Sequence, residues 1–86
     1  MKVEDQIDFM INSLMIAKEE LQYAREFKRH KDQDRKDGKG YYNSYAYNHR
    51  APNPTLIREN LKTVGRLANI VSKRITLSPY NDNITD

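Results

Sequence analysis

The sequence has no cysteine and no tryptophan, only three glycines and three prolines among 86 residues, and no apolar run of membrane-spanning length. Without cysteine there are no disulfides and no thiolate zinc ligands, which excludes a small secreted scaffold held together by cross-links. A membrane span requires about 18 or more consecutive apolar residues, and no stretch approaches that. The opening Met1-Lys2-Val3-Glu4-Asp5 is acidic where a signal peptide is basic and then apolar. A cytoplasmic protein without a membrane partner is therefore expected. Asn83-Ile84-Thr85 matches a glycosylation sequon, a pattern without force where no secretory signal accompanies it. Only 37% of the residues are hydrophobic, and a lone chain of this length buries only about 60% of its unfolded surface. The core is thin, so an oligomer or a partner is expected to complete it.

The scarcity of helix breakers also sets the organisation. Neither proline nor glycine occurs between Val3 and Lys31, and good helix formers dominate, which predicts a helix over 3–31. Glu4, Asp5 and Asp8 stand at its start and Lys28, Arg29, His30 and Lys31 at its end, the charge order that the helix dipole favours. A second helix is predicted over 54–76. Asn53 is a good N-cap, Pro54 suits the first helical position, Pro52 keeps Ala51 extended, and Ser78-Pro79 ends the run. Residues 32–53 between them read as a long connecting loop, charged to Gly40 and tyrosine-rich beyond it, although the first helix can also run on into the charged part with Gly38 as its end. Residues 79–86 read as a frayed tail. The expectation is one all-α domain, a long helical hairpin that forms a helical bundle as a homodimer or higher oligomer.

Apolar spacing supports that reading. In the first helix Ile7, Met10, Ile11, Leu14, Ala17, Leu21 and Ala24 form one stripe. Phe9, Ile16 and Tyr23 form a second, about 200° around from the first, and are the candidate oligomer interface. In the second helix Ile57, Leu61, Val64, Ala68, Val71 and Ile75 recur at steps of four and three, while Arg58, Lys62, Arg66 and Lys73, with Arg74 at the edge, form a basic stripe roughly 140° away. Gly65 costs this helix about 1 kcal/mol relative to alanine, which points to a close helix–helix approach.

Charge is unevenly spread. Residues 1–28 carry four basic and six acidic groups, 29–50 six and three, 51–77 five and one, and 78–86 two acids, which together give the net +3. The near absence of acids on the second helix distinguishes it from a merely solvated face, where mixed signs pair at i, i+4.

Signatures of catalysis are missing. His30 and His49 are the only histidines and lie nineteen residues apart, so solvated surface histidines are a better reading than a metal pair. No serine has a nucleophile-elbow context and no carboxylate pair stands out. Asp32, Asp34, Asp37 and Gly38 invite comparison with a calcium loop, but from Asp32 the fifth position is Lys36, the sixth is Asp37 and the twelfth is Asn43. Gly38-Lys39-Gly40 is only a fragment of a phosphate loop. No enzyme, no metal and no cofactor are expected.

Two features point instead to binding. Tyr41, Tyr42, Tyr45 and Tyr47 place four of the six tyrosines within seven residues, beside His49 and Arg50. Tyrosine gives large contact area at low entropic cost and either anchors protein interfaces or stacks on bases. With Arg58, Lys62, Arg66 and Lys73 these residues are the candidate binding set. The expected function is a small regulatory or inhibitor-type protein that docks through the tyrosines and the basic helix on an acidic surface of a larger protein. In general character it resembles the small accessory and inhibitor proteins of bacteriophages, without a motif that fixes a family. The alternative is a nucleic-acid or nucleotide-binding module with phosphates on the basic stripe and bases on the tyrosines. A helix-turn-helix is disfavoured by the length of the helices and of their connection. A purely structural oligomer is a third reading.

Overall fold

The structure, a computed structural model, describes the backbone of residues 2–78 and 81–84 and the side chains of residues 2–75. The chain is all-α in class apart from a short ribbon at its end. In order it forms α1 (Val3–Asp37), a 3-10 turn (Tyr41–Asn43), the single turn α2 (Tyr45–Asn48), α3 (Pro54–Arg74), and the strands β1 (Ile75–Ser78) and β2 (Asn81–Ile84).

The boundaries differ from the ranges 3–31 and 54–76. The first helix takes the longer course that the sequence allowed, on to Asp37, because Gly38 can take the left-handed conformation (φ 66°) and close it: the Gly38 N–H donates to the Arg35 carbonyl and the Lys39 N–H to the Asp34 carbonyl. The second helix ends at Arg74, two residues early. Ile75 and Thr76 turn extended and pair with Ile84 and Asn83 in an antiparallel ribbon, in place of a frayed end over 81–84. Residues 79, 80, 85 and 86 of the expected frayed tail lie outside the described residues.

At the start of α3 the Asn53 side chain accepts the Leu56 N–H at 3.1 Å, with Pro54 next in the helix. α3 then runs back antiparallel along α1, as the contacts Glu20 with Asn53 and Gln6 with Arg74 show. The result is a flat two-helix slab of 67 × 22 × 14 Å.

The seam between the helices is not the stripe with the most apolar residues. On α1 it follows Val3, Gln6, Met10, Ser13, Ala17, Glu20 and Ala24, and on α3 Ile57, Asn60, Val64, Leu67, Val71 and Arg74. Among the described residues only Val3, Ala17 and Val71 are buried apolar side chains, while Ile7, Leu14, Leu21 and Leu61 remain 39–49% exposed. Polar pins at both ends set this rotation. Arg74 donates to Gln6 at one end, and at the other Glu20, only 5% exposed, accepts from Arg50 and from the Asn53 N–H. Gly65 marks no close approach within the chain, since a Cβ built there meets nothing within 4 Å.

Candidate functional surface

The segment after α1, within the stretch read as a long connecting loop over 32–53, is tied down by side-chain hydrogen bonds. Ser44 caps α2 by accepting the Tyr47 N–H at 3.2 Å, and its hydroxyl donates to the Tyr41 carbonyl at 2.6 Å. Asn48 donates to the carbonyls of Ser44 and Tyr42. Asp34, on the extension of α1, accepts the Tyr45 N–H at 2.6 Å and has Lys39 Nζ at 3.6 Å. These bonds tie both tyrosine turns to the end of α1.

The four clustered tyrosines then divide into two groups. Tyr41, Tyr42 and Tyr47 are exposed, at 69%, 72% and 49%, and their rings meet edge to face in all three pairs, with centroids 5.4, 5.0 and 5.1 Å apart. Such mutual contacts hold the rings in place. Tyr45 is half-buried. Its ring lies stacked between the imidazoles of His30 (4.2 Å) and His49 (3.7 Å) and meets Phe27 edge-on at 5.6 Å. The two histidines, far apart in sequence, thus converge on one ring and serve packing. His49 also bonds the Tyr45 carbonyl through Nδ1 at 3.0 Å, and His30 lies 3.7 Å from Glu26.

Arg50 is committed inside the chain. Its guanidinium binds Glu20 through both terminal nitrogens at 2.9 and 2.8 Å and lies 4.1 Å over the Tyr23 ring, while the Tyr23 hydroxyl donates to the Arg50 carbonyl at 2.6 Å. Arg50, and the Asn53 N–H after it, hold the Glu20 carboxyl below the usual carboxylate range. Within the chain Arg50, expected as a binding cation, is a strap between the loop and α1, and Tyr23, expected at an oligomer interface, contacts that strap and the Phe27 ring. Phe9 stays 50% exposed and Ile16 half-buried.

The basic stripe holds together as an outer edge of α3. Arg58 and Lys73 are exposed and make no ion pair among the described residues. Lys62 has Glu59 at 3.7 Å, and Arg66 donates to the Thr63 hydroxyl at 3.5 Å. Arg74 leaves the stripe for the seam. Arg50 stays with the first helix through Glu20. The structure brings to the tyrosines other cations that the sequence reading missed. Lys31, Arg35 and Lys39 border a shallow recess with Tyr41 and Ser44, around Asp34. The four-residue spacing of Lys31 and Arg35 signals this once α1 is known to continue to Gly38.

Among the described residues no group of histidines, cysteines and carboxylates is placed to hold a metal ion, and no helix is long and apolar enough to cross a membrane. Fold and surface together define a helical protein that presents exposed aromatic and cationic side chains. No family model, curated protein or solved structure matches the chain.

Proposed function

We propose that this chain is a non-enzymatic, homo-oligomeric binding protein of the regulatory or inhibitor type, which docks on an acidic surface of a larger protein through Tyr41, Tyr42 and Tyr47. The observation that carries this reading is the exposed three-tyrosine cluster held by side-chain hydrogen bonds on the end of a long helix. Large aromatic surface that is already ordered loses little entropy on binding, and this is what interface anchors require. Lys31, Arg35 and Lys39 beside the cluster favour an acidic counterpart. The test is affinity capture followed by mass spectrometry with the wild type and with Tyr41→Ala/Tyr42→Ala/Tyr47→Ala. Loss of a specific partner with unchanged far-UV circular dichroism supports the docking role, and retention of the same partner refutes it.

A second reading rests on the α3 edge, where Arg58, Lys62 and Arg66 rise about 6 Å per step along a rigid axis and are all exposed. Cations in such a row can follow phosphates of a nucleic acid or nucleotide. It predicts DNA or RNA binding that weakens steeply between about 50 and 200 mM salt and that declines in Arg58→Ala/Lys62→Ala/Arg66→Ala.

A further inference from the structure

The seam and the apolar stripes do not coincide, and the mismatch has the same sense in both helices. At 100° per residue, the apolar stripe of α1 is centred about 50° from the seam defined by the side chains turned toward α3, and the stripe of α3 is also centred about 50° from its seam. In an antiparallel pair both offsets fall on one broad face of the slab. Leu14, Ala17 and Leu21 of α1 and Ile57 and Leu61 of α3 line one groove there, with the stem of Lys18 at its rim. A helix in a square four-helix bundle directs its apolar stripe at the bundle axis, about 45° from the direction of its neighbour. The offset is that of half a bundle.

The exposed area agrees. The chain leaves 6773 Å² accessible, where a compact monomer of this mass exposes about 5,300 Å². A face 22 Å wide along the paired length of α3, about 31 Å, offers roughly 700 Å² per chain, close to the ~800 Å² per partner of a standard interface. Gly65 lies toward this face, where a side chain meets nothing from its own chain.

Charge selects the arrangement. The outer edge of α1 carries exposed Glu4, Asp8 and Glu19, and the outer edge of α3 carries exposed Arg58, Lys62, Arg66 and Lys73. We propose that a second copy of this chain covers the groove about a two-fold axis parallel to the helices, which sets α1 of each copy beside α3 of the other in an all-antiparallel bundle. Residues of α1 and α3 at the same level sum to between 73 (Glu20 with Asn53) and 80 (Gln6 with Arg74). Glu4 therefore stands level with Lys73 of the second copy, and Glu19 level with its Arg58. The other face-to-face dimer, with its two-fold axis across the helices, sets acidic edge on acidic edge and basic on basic, which is repulsive. The lengthwise axis also brings both tyrosine clusters to the same end, so a dimer presents two copies of the docking surface side by side. Only that last consequence rests on the docking role; the dimer stands on the groove and the edges.

The experiment is sedimentation equilibrium combined with spin-label distances. The native chain has no cysteine, so Lys36→Cys on the exposed end of α1 takes a single label. It lies about 35 Å beyond the middle of the paired stretch. A dimer with label separations of roughly 15–35 Å is expected, whereas a separation near 70 Å, or a monomer at all concentrations to about 0.5 mM, overturns the proposal. Leu14→Glu, at a position 44% exposed, is expected to keep its helicity and to weaken dimerisation more than tenfold. Loss of the dimer in Phe9→Glu but not in Leu14→Glu assigns the interface to the opposite face and overturns it. Glu4→Lys/Glu19→Lys and Arg58→Glu/Lys73→Glu are each expected to raise the dissociation constant several-fold at low salt, and their combination to restore it. Failure of the combination to do so rejects the lengthwise axis.

Discussion

Glu20 and Tyr45 show how single residues decide where the connecting segment goes. Glu20 is the one buried acid of the helix pair, and it collects both guanidinium nitrogens of Arg50 and a backbone N–H. Those donors favour its charged form, so its pKa is lowered on folding. A lowered carboxylate contributes stability above the ordinary carboxylate range and loses that contribution as pH falls through the folded value. Melting temperature measured between neutral pH and about pH 3 is accordingly expected to fall on the acid side, and Glu20→Gln to lower it at neutral pH while flattening that acid limb. Glu26 and Asp32 are also lowered, by Arg29 and Lys28, but these are exposed pairs on one helix surface and water screens them. Tyr45→Ala removes the ring between His30 and His49. It is expected to cost about 1 kcal/mol of local stability, seen as faster amide exchange over 41–49 with α1 and α3 protection unchanged.

At the scale of elements, the start of α3 and the end of α1 are the two places where short-range chemistry fixes the geometry of the binding surface. Asn53→Ala removes the cap on the Leu56 N–H and is expected to cost about 1 kcal/mol in denaturant melts. Gly38→Ala forces a side chain into a left-handed conformation at φ 66°, with an expected cost of about 1 kcal/mol. It also loosens the turn that places Tyr41 and Tyr42, so its effect on partner capture should exceed its effect on overall stability. The connecting segment was legible in composition but not in conformation. Its tyrosines and asparagines are visible in the sequence, and Gly38 marks where α1 can end, whereas the bonds of Ser44, Asn48 and Asp34 that order it join groups that no sequence spacing pairs.

For the whole molecule, the governing fact is shape. A slab 14 Å thick is a single layer of helices, and such a layer has no interior of its own. The three buried apolar side chains among its described residues do not match the apolar content of the two stripes, and this is why a second layer is inferred. A molecule completed by its own copy gains stability by mass action. Its melting temperature should therefore rise with protein concentration between about 5 and 500 μM in circular dichroism, and should lose that dependence in Leu14→Glu. The dimer also bears on the second functional reading. Acidic residues set beside Arg58 and Lys73 lower the positive potential of the α3 edge, which favours the tyrosine surface over phosphate binding.

The sequence by itself determined the helical class, the start of α3 at Asn53-Pro54, the apolar and basic stripes, and the concentration of tyrosines in one segment. These follow from local rules of capping, breaker residues and the 3.6-residue period. Tertiary structure alone decided which side of each stripe became the seam, that Arg50 and Tyr23 serve a clamp on Glu20, that Tyr45 parts from the other three tyrosines of its segment, and that Lys31 and Arg35 join them. The clamp and the seam depend on residues 30 and 68 positions apart meeting, and on polar pins at Gln6 and Glu20 outweighing the preference of leucine and isoleucine for the seam. Periodicity reports which residues avoid water; it does not report which neighbour removes them from it.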